Sequence, residues 1–361
     1  MSDTIRTAPF TLTTGDYLRH YLISYFRAYI TLPWALFMWP ITFGFPLLAG
    51  FHDLAHHQDL TSVASEFWYS LVWLIVIPAI GAISTWRTLA RNSTAYLPRT
   101  ACFDGDTFAV EGDSFSNRQL WRNFRQVVET PGSLYFEFRG GCTMIVPKRA
   151  LPSKTAARQF LGDARRHIGN AANRQVKVFS SELDTSEPMS GLQSPPFRMS
   201  FGVYFRYCLL LMYRSMMRPF TLLVIIASFI GFPAWLQRQS LMDGHWQSFA
   251  ITTLPMPFLF ALLFPFPMAL LSYFVARSQP SLHGDRRVSL AADEVQARGD
   301  AYDVKVRWSN IRRVSQSWGL ILLWSGPNGA IVIPRSAFAD PAAADAFIDQ
   351  AKALWQAAKS A

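Results

Sequence analysis

The 361-residue chain is 50% hydrophobic, 15% aromatic and only 16% charged, with a formal net charge of +10. Its three cysteines (Cys102, Cys142, Cys208) have no CxxC or other metal-ligand spacing, which excludes a disulfide framework or a zinc module. Residues 31–51, 67–86, 219–237 and 249–276 contain no Lys, Arg, Asp or Glu, and runs of about 20 apolar residues are long enough to cross a bilayer.

In chain order, an extended piece (Pro9–Leu12) leads into an aromatic, Arg-bearing helix at 14–30, with Thr13 as its N-cap. The apolar runs at 31–51 and 67–86 predict two transmembrane helices, the first an uncleaved anchor because it starts too late and runs too long for a signal core. Six strands follow (TACFD, TFAVE, NRQLW, FRQVVE, SLYFEF, CTMIVP), separated by Asp-Gly, Gly-Asp, Pro-Gly and Gly-Gly pairs. The amphipathic segment TAARQFLGDARRHI closes this set as a helix. Residues 171–195, rich in Ser, Pro and acidic residues, read as a linker.

The whole pattern then recurs. At an offset of 187 residues, Tyr17, Arg19 and Arg27 fall on Tyr204, Arg206 and Arg214, and Gly44-Phe45-Pro46 falls on Gly231-Phe232-Pro233. Trp121-x-Asn123-x-Arg125 falls on Trp308-x-Asn310-x-Arg312, and Gly132, Pro147 and Phe160 fall on Gly319, Pro334 and Phe347. So many Trp, Gly and Pro identities on one offset indicate a tandem duplication. The second copy predicts Ser200 as N-cap, two more membrane helices, six strands (VSLAAD, EVQAR, DVKVRW, IRRVSQ, GLILLW, AIVIP) and the helix PAAADAFIDQAKALW.

The expected fold is therefore an α+β membrane protein: four transmembrane helices in two parallel hairpin repeats, each followed by a small antiparallel β domain with a C-terminal helix. The strand count suggests a pleckstrin-homology-like arrangement. The boundaries are 1–30 (strand and interfacial helix), 31–87 (hairpin), 88–170 (β domain), 171–195 (linker), 196–218 (strand and interfacial helix), 219–276 (hairpin) and 277–361 (β domain). The connection at 51–66 has no Lys or Arg, whereas arginines flank the other ends. The positive-inside rule then puts the termini and both β domains in the cytoplasm of a bacterium, under its inner membrane. Residues 87–180 hold 15 Lys/Arg against 7 Asp/Glu, and residues 277–361 hold 11 against 8, so the first domain is the more basic.

The phrases Trp121-Arg122-Asn123-Phe124-Arg125-Gln126-Val127 and Ile145-Val146-Pro147-Lys148-Arg149-Ala150-Leu151 carry a resemblance, as do their repeats at 308–314 and 332–338. On these the chain resembles the YcxB-like bacterial proteins, with two units where members of that family usually have one. The resemblance implies a small integral membrane protein and no particular reaction.

Trp121 and Trp308 read as core fillers, Pro147 and Pro334 as stops before a helix, and Gly44, Pro46, Gly231 and Pro233 as packing and kink positions in the membrane helices. The binding candidates are the neighbouring cations Arg122, Arg125, Lys148, Arg149, Arg312, Arg313 and Arg335, a basic face toward anionic lipid headgroups or an acidic partner. His52 and His56, spaced i, i+4, have no framing motif, and no metal or cofactor is expected. The sequence has no GxSxG, P-loop or HExxH, so no catalytic residue and no enzyme is expected. Nor does it carry a nucleic-acid-binding module. The expected function is a non-catalytic inner-membrane protein that binds or regulates a partner protein or anionic lipid, immunity-like in one version. The alternative is a channel or small-solute permease formed by a four-helix pseudo-twofold bundle.

Overall fold

The computed structural model describes residues 5–28, 96–174 except 104 and 140–142, 189–226, 246–277 and 284–360 except 327–328, with scattered positions at 75–90 and 230–244. The chain divides into two units, the first made of residues 1–138, 142–183 and 302–306, the second of 139–141, 184–301 and 307–361.

In the first unit, β1 (Ile5–Arg6) and α1 (Thr14–Ala28) precede β2 (Arg99–Phe103), β3 (Thr107–Gly112) and β4 (Phe115–Leu120), then β5 (Phe124–Glu129), β6 (Ser133–Phe138), β7 (Thr143–Pro147) and α2 (Lys154–Arg174). β1 to β4 form one antiparallel sheet in chain order, with Ile5 opposite Phe103 and Ala101 opposite Val110. Residues 302–306 lie antiparallel to β4, Tyr302 opposite Gln119. β5 to β7 form a second antiparallel meander. The joint between the sheets is a 3₁₀ turn at Trp121–Asn123.

The period-two alternation puts Ala101, Phe103, Phe108 and Val110 on one inner face and Phe124, Leu134, Phe136 and Phe138 on the other. α2 adds Ala157, Phe160, Leu161, Ala164 and Ile168, a helical stripe at 3.6-residue spacing. Phe108 and Phe136 stack at 4.3 Å, and Phe103 meets Phe160 edge-on at 4.8 Å. Trp121, 2% exposed, lies among these rings and stacks on His167 at 5.3 Å.

The second unit runs β8 (Leu192–Gln193), α3 (Phe201–Met216), α4 (Pro219–Ile226), α5 (Trp246–Thr253), α6 (Pro255–Leu263), α7 (Pro265–Ala276), β9 (Arg286–Leu290) and β10 (Glu294–Gly299) and, after β11 (Tyr302–Arg307), whose residues 302–306 belong to the first unit, β12 (Arg313–Ser317), β13 (Leu320–Trp324), β14 (Ala330–Pro334) and α8 (Pro341–Ser360). Ser200 caps α3, its hydroxyl accepting from the Val203 amide. Cys208 and Leu209 of α3 pack on Ala269 of α7. Trp308 opens a 3₁₀ turn before β12, 1% exposed, and its indole donates to the Ala291 carbonyl at 2.8 Å. α8 buries Ala344, Phe347, Ile348 and Ala351.

The duplication extends to individual hydrogen bonds. Trp121 N donates to Asp106 O at 3.2 Å and Trp308 N to Asp293 O at 3.1 Å. Lys148 N to Gly132 O and Arg335 N to Gly319 O are both 2.9 Å. The Thr7 hydroxyl accepts from Ala101 N and the Ser194 hydroxyl from Val288 N, each at 3.0 Å.

The expectation of four transmembrane helices is corrected here. Among the described residues, no helix is long and apolar enough to cross a membrane. The apolar run at 249–276 is divided among α5, α6 and α7, the longest of 12 residues, and the breaks at Leu254 and Phe264 each precede a proline. Proline has no amide hydrogen to bond to the preceding turn, so each one starts a new segment. α4 is described over 8 residues, and the residues that follow it lie largely outside the described ones, as does almost all of the first expected hairpin, 31–87. The multi-pass inner-membrane placement, with its cytoplasmic termini, falls with those helices. What stands is an α+β fold of antiparallel sheets with a few helices. Several side chains of α6 and α7 are exposed, Phe258 at 75%.

The β12–β13 hairpin turns through Trp318 (φ 52°) and Gly319 (φ 73°), two left-handed residues between the paired Ser317 and Leu320, as a type I′ turn requires. Gly319→Ala adds a Cβ in that left-handed region, 3.1 Å from Arg206 Nη1. It should destabilise the protein by about 1–2 kcal/mol, read as a lowered urea midpoint with an unchanged slope.

Candidate functional site

α1 lies against β6, and the contacts between them form a polar seam. The seam starts from a local signal: Thr13 and Asp16 make a reciprocal cap, Thr13 N donating to Asp16 Oδ2 at 2.8 Å and Asp16 N to Thr13 Oγ1 at 3.3 Å. Asp16 is buried, 7% exposed. Its long-range partner is Arg149, in the 3₁₀ turn that follows Pro147. Arg149 donates Nη1 to Asp16 Oδ1 at 3.1 Å, Nη2 to Oδ2 at 2.6 Å and Nη2 to the Thr11 carbonyl at 2.7 Å, a fork that grips both the helix start and the segment before it. Burial pushes the Asp16 carboxyl up, but the hydrogen bonds from Arg149 and Thr13 outweigh it and hold the group below its usual range.

Further along α1, the His20 ring lies 5.1 Å from that of Tyr135, itself 1% exposed. Burial pushes the His20 pKa down, with Glu137 opposing, so the ring is neutral at pH 7. Arg27 closes the seam in an ion pair with Glu137, which also accepts from Gln126 Nε2 at 2.7 Å.

The second unit keeps this helix and exchanges the chemistry. Val203 stands at the place of Asp16, Ser336 of Arg149, Leu322 of Tyr135 and Trp324 of Glu137. Arg214, the counterpart of Arg27, sets its guanidinium 4.1 Å from the centre of the Trp324 ring, a cation–π contact where the first unit has an ion pair. Arg206 donates to the Trp318 carbonyl at 3.0 Å, and the Ala330 amide to Tyr207 Oη at 3.3 Å.

The sequence-predicted cations do not gather into one face within either unit. Lys148 pairs with Glu129 at 2.7 Å, while Arg149 turns to α1. Arg335 pairs with Asp345 at 2.8 Å and donates to the Pro341 carbonyl. Arg122 is half-buried in the Trp121 turn, and Arg125, Arg312 and Arg313 are exposed. Pro147 and Pro334 end β7 and β14 and lead into 3₁₀ turns. Gly44, Pro46, Gly231 and Pro233 lie outside the described residues, as do His52 and His56. Among the described residues no group of His, Cys, Asp or Glu is placed to hold a metal ion. Burial pushes the Cys208 thiol up to about 11, against a hydrogen bond with Tyr204, so it is no nucleophile at neutral pH.

One cluster escaped the sequence reading. Lys154, Arg158 and Arg165 of α2 are exposed, and Arg165 and Arg158 act through space on Glu129, beside Lys148. Comparing the two copies position by position would have found it, because the equivalent residues are Pro341, Asp345 and Lys352.

The family model for YcxB-like protein matches residues 103–162 and again residues 290–351. The chain carries two YcxB-like domains in tandem. Each match begins on the last residue of a strand, β2 or β9, and ends within the closing helix, α2 or α8. Both characteristic phrases of a YcxB-like domain, the tryptophan turn and the proline turn, thus fall inside each match. No curated protein and no solved structure matches the chain.

Asp16→Asn leaves the helix in place but removes the charge that Arg149 grips. It should cost about 1–3 kcal/mol. Because the folded pKa of Asp16 is depressed, the wild type's advantage is fully present above the unfolded carboxyl pKa of about 4. It is lost as pH falls through the lower folded value. Urea midpoints of wild type and D16N should therefore converge below about pH 4.

Proposed function

We propose that the chain is a non-catalytic binding protein whose first YcxB-like domain recognises an anionic partner, with the second as its less basic counterpart. The reading is supported by one divergence on a shared architecture. α2 carries five Lys/Arg against one Asp, whereas α8, its duplicate, carries two Lys against two Asp. In α8 these charges are matched locally, through Arg335–Asp345 and Lys352–Asp349. The two helices keep the same buried stripe, so packing does not account for the added cations. A regulatory or immunity-like role is one form that such binding can take.

A single-signed surface attracts its opposite over a range set by ionic strength. The full chain should bind a labelled glutamate-rich peptide or phosphatidylserine vesicles. That binding should weaken about tenfold or more between about 50 and 300 mM salt. Absence of binding to both probes, or binding indifferent to salt, overturns the reading.

A further inference from the structure

We propose that the exposed stripe Lys154–Arg158–Arg165 on α2, together with Lys148, is a docking surface for an acidic segment of a partner protein. This rests on the binding function proposed above and gives it a place and a partner chemistry. On an α-helix, positions 154, 158 and 165 fall within about 40° of one another and span about 16 Å. The stripe is thus a line of positive charge with the length of several residues of an opposing chain. All three side chains are exposed.

Glu129, at the end of β5, shows which chemical group this surroundings accepts. Its carboxylate takes a hydrogen bond from Lys148 at 2.7 Å, and Arg165 and Arg158 act on it through space. The hydrogen bond and charge of Lys148, followed by those arginines, hold Glu129 below the usual carboxylate range. One exposed carboxylate set among Lys148, Arg158 and Arg165 leaves positive charge over, and further carboxylates answer it in kind.

A lipid surface and a nucleic acid fit less well. Helices that bind at a membrane interface present large apolar side chains beside their cations, whereas Phe160, Leu161 and Ile168 of α2 are all buried in the domain core. Single-stranded nucleic-acid surfaces offer aromatic rings for bases to stack on, and α2 exposes none. The second domain supplies a natural comparison: Gln316 replaces Glu129, Asp345 replaces Arg158, and the remaining cations are paired.

The test uses the full chain and three probes: a labelled 20-residue glutamate-rich peptide, phosphatidylserine vesicles and a short DNA duplex. R158E/R165E should weaken peptide binding about tenfold or more, R158Q/R165Q by less, and K352E/K359E in the second domain by no more than about twofold. Urea midpoints within error of wild type establish that the exposed substitutions leave the fold intact. Glu129→Gln removes the competing internal carboxylate and frees Lys148, and should tighten peptide binding about two- to fivefold. Peptide binding that survives R158E/R165E, or that weakens in E129Q, overturns the surface while leaving the binding function standing. Tighter binding of vesicles or duplex through the same arginines overturns the acidic-protein partner. Failure to bind any of the three probes overturns the binding function itself.

Discussion

Two antiparallel sheets, each with one apolar face, are stable in water only if those faces meet and a third element closes the open side. In both domains the meeting is held by a tryptophan at the joint. Trp121 and Trp308 each open a single 3₁₀ turn that ends one sheet and starts the next, with the side chain under 3% exposed. The turn sets the angle between the sheets, and the ring fills the wedge that the angle leaves. Phe108 and Phe136 can stack across the gap in the first domain because the wedge is filled. The closing helix then brings Phe160 or Phe347 to what remains. Everything outside this core can vary as long as the wedge is occupied.

The preceding helix illustrates that freedom. α1 and α3 each carry an arginine at the same two places, Arg19 with Arg27 and Arg206 with Arg214. The long, planar-headed side chain can meet a carboxylate, as Arg27 meets Glu137, or an aromatic face, as Arg214 meets Trp324. One geometry is thus served by two kinds of contact. The ion-paired version is the more sensitive to acid, because Asp16 must stay charged for Arg149 to hold Thr11 and the helix start together. The second domain has Val203 and Ser336 at those positions and depends on packing instead. Duplicate domains with the same hydrogen-bond frame therefore answer differently to pH.

Strands, caps and closing helices were legible because they follow from local periods: alternation for β2 to β7, 3.6-residue spacing for α2 and α8, and Thr13 and Ser200 immediately before a helical run. The 187-residue offset made each reading twice. Hydropathy misled where it counted composition without geometry. The run at 249–276 has the apolar length of a membrane span, yet Pro255 and Pro265 divide it into helices of at most 12 residues. The seam was not legible, since Asp16 and Arg149 are 133 residues apart and neither period nor spacing pairs them. For the same reason Arg149 and Lys148, adjacent in sequence, looked like one basic site although they serve different neighbours. A 3₁₀ turn sends successive side chains in different directions, and a linear phrase does not record that.

A duplicated domain also separates what the fold requires from what it merely permits. Positions identical in both copies, such as Trp121 and Trp308 or Pro147 and Pro334, do the same structural task in each. Positions that differ while the backbone does not are free of that task, and the exposed side of the closing helix is the plainest case. Phe160, Leu161 and Ala164 correspond to buried residues of α8, but Arg158 corresponds to Asp345. Reversing a charge at one such site alters the local net charge by two units without moving a buried atom. A closing helix is suited to this, because its inner stripe is held by the core while its outer stripe is exposed. Recognition can then change in one copy while the other maintains the fold, and the charge that distinguishes the copies is where the proposed recognition rests.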